Sequence, residues 1–205
     1  MICGIDEAGR GPVIGPLVIV GACFENENIP ILSRVKDSKQ LTAKQREELF
    51  VEIIKAAKYK VIMIQPEEID ARYDNNTNLN KLEVEGFRSI IEHFRPERTF
   101  IDSPYKDCEK LKRELGLGKN DVVEHKADVN YPVVSAASII AKVLRDAEIK
   151  KIEEKYKVKV GSGYPADPYT IEFLRKGKKY PFIRQSWETY KNIVKEKEQS
   201  KLMDY

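Results

Sequence analysis

Two adjacent carboxylates, Asp6 and Glu7, are followed at once by Ala8-Gly9-Arg10-Gly11-Pro12. Paired acids are a ligand set for a hard cation, and glycines flanking an arginine let backbone N–H groups and a guanidinium approach a phosphate closely. Cation plus phosphate is the first chemistry these residues suggest. The same composition also writes ordinary turns, so the surrounding elements must decide. The apolar Met1-Ile2-Cys3-Gly4-Ile5 reads as a buried strand with the acids at its carboxyl end, the usual position of an α/β active site. Alternate residues of a strand point to opposite faces, so Asp6 and Glu7 share a site only if the strand ends or bulges between them; the glycines favour such a break.

Two further acids occupy comparable positions. Asp102 comes where the apolar Arg98-Thr99-Phe100-Ile101 gives out, and Asp128 precedes a predicted helix. Any one of these acids read alone is a cap or turn residue. Taken as a set with the Gly-Arg-Gly segment, they match phosphodiester hydrolysis, in which two Mg²⁺ ions about 3.5–4 Å apart, held by hard oxygen ligands, serve both the attacking and the leaving oxygen. No catalytic cysteine or triad is then needed. Of the two histidines, His93 reads as a helix-surface residue and His125, beside Lys126 and Asp128, as a packed or hydrogen-bonded one, with proton handling as the alternative.

The rest of the composition narrows the classes. A chain of 205 residues with 41% hydrophobic content buries a real core and is not disordered. The net charge of +3 does not announce nucleic acid, so a surface for it must be a local patch. Cys3, Cys23 and Cys108 show no CxxC spacing, which argues against zinc and against a disulfide framework, and reduced thiols are expected. No apolar run approaches the roughly 20 residues that span a bilayer, and no secretory signal opens the chain. A cytoplasmic protein without membrane contact is expected.

These residues need elements to position them. Leu17 to Phe24 is a second apolar strand, forming a hairpin-like pair with the first across a Gly- and Pro-rich loop. Helical spacing predicts a helix from Thr42 to about Lys58, with Thr42 as N-cap, then a strand from Tyr59 to Ile64 and a helix from about Asn78 to Phe94. The strand at 98–101 follows, and the order strand, helix, strand implies a βαβ unit. Val122-Val123 reads as a short strand, and Pro132 opens a long helix toward Lys155 whose small residues suit close packing on a sheet. Asp167-Pro168 is an N-cap followed by a good first helical residue, and helices are expected over about 168–176 and 185–198. The predicted architecture is a three-layer α/β fold with a helical carboxyl-terminal region.

Read together and in order, Asp6-Glu7-Ala8-Gly9-Arg10-Gly11, Asp37-Ser38-Lys39, Ile101-Asp102-Ser103, Glu124-His125-Lys126-Ala127-Asp128, Tyr131 to Ala141 and Gly161-Ser162-Gly163-Tyr164-Pro165 resemble the ribonuclease HII family in its archaeal form. The resemblance implies a ribonuclease H-like fold with a central mixed sheet. It implies a single catalytic domain over 1–198, its core about 1–155, and an endonuclease dependent on Mg²⁺ or Mn²⁺, two ions per site. Such an enzyme cuts the RNA strand of RNA/DNA hybrids and cuts 5′ of a ribonucleotide embedded in duplex DNA, leaving 3′-hydroxyl and 5′-phosphate ends. By position, Asp6, Glu7, Asp102 and Asp128 are then the metal-binding catalytic acids, Gly9, Arg10 and Gly11 read the ribose 2′-hydroxyl and adjacent phosphate, and Tyr164 stacks on the next sugar. The 2′-hydroxyl, donor and acceptor at once, is the group by which RNA differs from DNA, so backbone amides beside an aromatic suit its selection. Lys39 and Lys126 are candidates for phosphate contacts.

At the carboxyl terminus, Gln199, Leu202 and Tyr205 have the spacing of the box by which replication proteins dock on a sliding clamp, and 199–205 is expected to be a flexible tail. A monomer is expected. The competing readings are a structure-selective carboxylate nuclease, which would not require a 2′-hydroxyl, and a non-catalytic nucleic-acid or clamp adaptor, which would have no use for acids that serve only metals.

Overall fold

A computed structural model of the chain describes residues 1–35, 41–72 and 77–203, with side chains to 199. In chain order the elements are β1 (Ile2–Ala8), β2 (Leu17–Phe24), α1 (Pro30–Arg34), α2 (Ala43–Ala56), β3 (Lys58–Ile64), α3 (Pro66–Ala71), α4 (Leu79–Phe94), β4 (Arg98–Asp102), α5 (Cys108–Glu114), β5 (Val122–Glu124), α6 (Ala127–Asn130), α7 (Pro132–Tyr156), α8 (Pro168–Arg175) and α9 (Glu188–Met203). They assemble into two compact units, one of residues 1–8, 18–63 and 77–144, the other of 9–17, 64–76 and 145–205.

The first unit is built on a five-stranded sheet of order β3-β2-β1-β4-β5. β1 is antiparallel to β2 and parallel to β4, which is parallel to β5, so the sheet is mixed. The strands are apolar because both faces are covered. Val18, Val20, Ala22 and Phe24 of β2 join one core with Val134, Ala137, Ile140 and Ala141 of α7. On the other face a Cβ at Gly21 would lie 2.3 Å from Ile90 of α4, and one at Gly86 of α4 would lie 2.5 Å from Ile19. Three layers result. The start of α7 comes so close to β1 that a Cβ at Gly4 would sit 2.2 Å from the backbone carbonyl of Val133, which only glycine permits.

Local chemistry sets the helix ends. Thr42 and Gln45 form a reciprocal capping box at α2, and the side chains of Asn78, Asp107 and Asp167 cap α4, α5 and α8. The adjacent parallel pair joined by a helix is β4–α5–β5. β3 and β4, expected to form a βαβ unit, have β2 and β1 between them in the sheet.

The thiol expectation is corrected. Cys3 and Cys23 are directly opposite in the β1/β2 ladder, 4.0 Å apart at Cα, and are joined as a disulfide; Cys108 is free. CxxC spacing is a guide to metal sites, but strand register brings cysteines together at any sequence separation.

In the second unit, Val13, Ile14, Ile149, Phe173, Phe182 and Ile193 share a core, with Tyr180 stacked against both Phe173 and Phe182. The helical carboxyl-terminal region is thus built around an amino-terminal loop. Ile14 bridges to Ile183, and Asp70 of α3 accepts hydrogen bonds from the backbone N–H groups of Gln185 and Ser186. α9 continues through Gln199 to Met203, so the expected tail begins as helix. No described helix is long and apolar enough to cross a membrane.

Candidate active site

β1 and β4 run parallel and in register, Ile5 opposite Ile101, so the next residues, Asp6 and Asp102, leave adjacent strands side by side. α6 follows β5 and brings Asp128. Carboxylate oxygens of Asp6, Asp102 and Asp128 all lie within 4.8 Å of one another. Asp6 and Asp128 are buried and Asp102 is half-buried. The N–H of Ala127 donates to Asp102 Oδ1 at 3.3 Å, tying the start of α6 to the end of β4.

Burial and the charge of Asp102 push the Asp6 carboxyl up to about 7, against opposing hydrogen bonds from Ser138 and the Glu7 N–H and the charge of Lys142. Lys142 Nζ donates to Ser138 Oγ at 2.7 Å, so α7 presents a hydroxyl and an ammonium to this acid. Packing three carboxylates together raises their mutual repulsion, and a divalent cation relieves it. A set made only of hard oxygen donors fits Mg²⁺ or Mn²⁺ and not a thiolate-seeking metal.

The expected break in β1 does not occur. Register with β2 is regular through Asp6↔Val20, Glu7↔Ile19 and Ala8↔Val18, so Asp6 and Glu7 point to opposite faces. Glu7 is half-buried, with Oε2 shielded from solvent, and is not among the carboxylates that gather around Asp6. His125 is hydrogen-bonded as expected, its ring nitrogens 3.2 Å from the Ser103 carbonyl and 3.4 Å from that of Lys106. Lys126 is exposed, with the left-handed backbone that begins α6. Lys39, with Asp37 and Ser38, lies outside the described residues.

In the second unit, Gly9 has φ +89°, and a Cβ there would be 2.5 Å from the Pro16 carbonyl oxygen. Arg10 is half-buried, Gly11 is exposed, and a Cβ at Gly11 would lie 3.8 Å from the Tyr164 ring. Tyr164 is 42% exposed with the Arg145 guanidinium 5.2 Å from its ring centre. Arg145 in turn donates to the Ser162 carbonyl at 2.6 Å. The Asp167 carboxylate accepts from Ser162 N–H and Tyr169 N–H, closing the 162–169 loop; the Ser162 hydrogen bonds hold its pKa below the usual range.

Sequence reasoning missed Arg184. It is fully buried and donates to three carbonyls, Gly15 at 2.9 Å, Arg10 at 3.2 Å and Gly9 at 2.6 Å. Trp187 Nε1 donates to a fourth, that of Gly11, at 3.1 Å. A signal for such donors was present, since Pro12 and Pro16 leave two loop peptides with a carbonyl and no N–H. At the carboxyl terminus Gln199 is exposed on α9, while the Leu202 side chain and Tyr205 lie outside the described residues.

Comparison with known proteins places the chain in a family. The sequence model of the family described as ribonuclease HII matches residues 3–190. The chain is 44% identical over 215 residues to ribonuclease HII of Methanocella arvoryzae, covering 100% of this chain and 96% of that one. It superposes on the crystal structure of ribonuclease H2 from Pyrococcus horikoshii with a TM-score of 0.85 at 44% identity, over 95% of this chain and 97% of that one. It also superposes on ribonuclease HII from Archaeoglobus fulgidus, solved in complex with PCNA, with a TM-score of 0.86 at 43% identity, over 94% and 96%. The chain belongs to the ribonuclease HII family, whose members are hydrolytic endonucleases of the ribonuclease H class that depend on a divalent metal.

Proposed function

We propose that the protein hydrolyses the RNA strand of RNA/DNA hybrids and cuts on the 5′ side of ribonucleotides embedded in duplex DNA, leaving 3′-hydroxyl and 5′-phosphate ends. The observation that carries the reading is the convergence of Asp6, Asp102 and Asp128 within 4.8 Å, a donor set suited to hard divalent cations. In this reading those three acids hold two ions, Mg²⁺ or Mn²⁺, while Glu7, which the resemblance would add to them, leaves β1 on the other face. When bound, the ions supply a nucleophile at neutral pH and offset charge on the leaving oxygen.

The chain's own groups do the rest. Ser138 and Lys142 orient Asp6 through the hydroxyl and its ammonium donor. Gly9, Arg10 and Gly11 contact the ribose 2′-hydroxyl and the neighbouring phosphate, and Tyr164, backed by Arg145, stacks on the following sugar. Lys39 and Lys126 contact backbone phosphates, fixing position without reading sequence. These roles suit removal of misplaced ribonucleotides and RNA primers during replication and repair by a cytoplasmic monomer.

The test is incubation with Mg²⁺ and a DNA duplex carrying one ribonucleotide, beside an all-DNA duplex of the same sequence. The expected result is a single cut 5′ of the ribonucleotide and none in the control. Equal cutting of both would make the protein a structure-selective nuclease, and no cutting with Mg²⁺ or Mn²⁺ would make it a binding module.

Partnership with a sliding clamp through Gln199, Leu202 and Tyr205 is supported by the residue spacing and by the similarity to a relative solved with PCNA. Deleting 199–205 is expected to abolish clamp association in a pull-down while leaving cleavage of short duplexes unchanged; clamp binding that survives would refute the assignment.

A further inference from the structure

We propose that Arg184 is the positioning residue that aims the Gly9–Gly11 backbone at the ribose, so that discrimination of RNA from DNA depends on a side chain 173 residues beyond the loop it sets. The proposal rests on the reading above that this loop contacts the 2′-hydroxyl.

The described peptides contain no cis bonds, and in a trans peptide the C=O and the following N–H point in opposite directions. Arg184 Nη2 holds the Gly9 carbonyl at 2.6 Å and Nη1 holds the Arg10 carbonyl at 3.2 Å. Each carbonyl drawn onto the guanidinium turns the next amide away from it. The N–H groups of Arg10 and Gly11 are therefore directed by Arg184.

The next two contacts complete the cradle. Gly11 precedes Pro12 and Gly15 precedes Pro16, so those peptides have a carbonyl and no N–H to aim. Their carbonyls are taken by Trp187 Nε1 at 3.1 Å and Arg184 Nε at 2.9 Å. Backbone pairing fixes the register: Gly15 N–H donates to the Phe182 carbonyl and Arg184 N–H to that of Val13, each at 2.9 Å. The Trp187 ring has Arg184 on it at 4.7 Å and Arg72 at 4.9 Å, which sets the plane of the guanidinium.

Burying a guanidinium among carbonyls is expensive, and a core that needed only packing would carry an apolar residue here. Burial, and then the like charge of Arg145, lowers the Arg184 pKa to about 9, so the group still carries its full set of donors at neutral pH. A lysine would keep the charge but lose the planar fork that reaches three carbonyls at once.

The experiment compares the full-length protein carrying Asp102→Asn, which blocks cleavage, with the same protein also carrying Arg184→Lys. Binding is measured to a duplex with one ribonucleotide and to the identical all-DNA duplex. The charge is unchanged, so affinity for all-DNA duplex is expected to stay within about twofold, while preference for the ribonucleotide falls about tenfold, the scale of a misplaced charge-assisted or buried hydrogen bond. A ratio taken on one protein sample is not moved by partial unfolding. Where Arg184→Lys does not fold, Trp187→Phe keeps the ring over the two arginines and removes the donor to Gly11, and a smaller fall in the same ratio is expected. A ratio that does not change, or an equal loss on both duplexes, overturns the proposal. A parent protein that itself shows no preference refutes the ribose reading of the loop, and the proposal with it.

Discussion

Asp6 carries the most information of any single residue. Its carboxyl, pushed up to about 7 by burial and by Asp102, is protonated in the metal-free protein below that pH, whereas in the unfolded chain it titrates near 3.8. Between those values the folded state holds the extra proton, so this group's contribution to stability falls as pH rises from about 4 to 7. A divalent cation must displace the same proton. Mg²⁺ affinity measured by calorimetry is therefore expected to weaken by up to about tenfold per pH unit below 7, with proton uptake by the buffer, and to level off above it. An affinity flat from pH 5.5 to 8 would contradict this. Asp102→Asn removes a proposed metal ligand and also the like charge beside Asp6. Cleavage is expected to fall by on the order of 10²–10³ while the metal-free protein unfolds at the same or a higher temperature. At this scale the sequence was legible in part. Asp6 and Asp102 end apolar runs and could be read as strand-end acids, but the opposite-facing placement of Glu7 depends on β1 continuing to Ala8, which the following glycines hid. Arg184 stands in a segment without periodicity, and nothing local points to partners 169–175 residues away.

At the scale of elements, long amphipathic helices and apolar strands announce themselves because one period runs through many residues. α4 and α7 were readable, and the caps Thr42 and Asp167 marked the starts of α2 and α8. The short helices α1, α3 and α5 were not, since five to seven residues hold too little of a 3.6-residue period to stand out. Cys3 and Cys23 lay in two strands correctly read as a hairpin pair, yet a long connecting loop does not fix register as a two-residue turn would. The tightest seam between elements is where α7 starts over β1. Gly4→Ala would force a methyl into the Val133 backbone, which cannot swing aside. A loss of about 3 kcal/mol or more is expected, read by denaturant unfolding, because overpacking here displaces both the strand carrying Asp6 and the helix carrying Ser138. A loss under 1 kcal/mol would show the seam to be more yielding than its geometry.

For the molecule as a whole, the Cys3–Cys23 disulfide closes a loop of 20 residues around the segment that contains Asp6 through Pro16. A closure of that length stabilises by about 3 kcal/mol through the unfolded chain. Reductant is thus expected to lower the melting temperature by roughly 6–12 °C for a chain of this size. Thiol titration of the denatured protein without reductant should find Cys108 alone; finding all three cysteines reactive would refute the bond.

The cradle beneath residues 9–15 has a further consequence for how the protein comes to exist. Translation makes this loop well before Arg184 and Trp187, which hold its carbonyls. At ribosomal speed the two are separated by roughly ten to thirty seconds. The acids are complete once Asp128 and the following helix emerge, so a nascent chain owns its carboxylate cluster well before it owns the support for its loop. A message broken between codons 128 and 184 would yield a product with the three clustered acids and no cradle. The order of synthesis therefore delays the geometry assigned to substrate choice until residues 184–187 have been made.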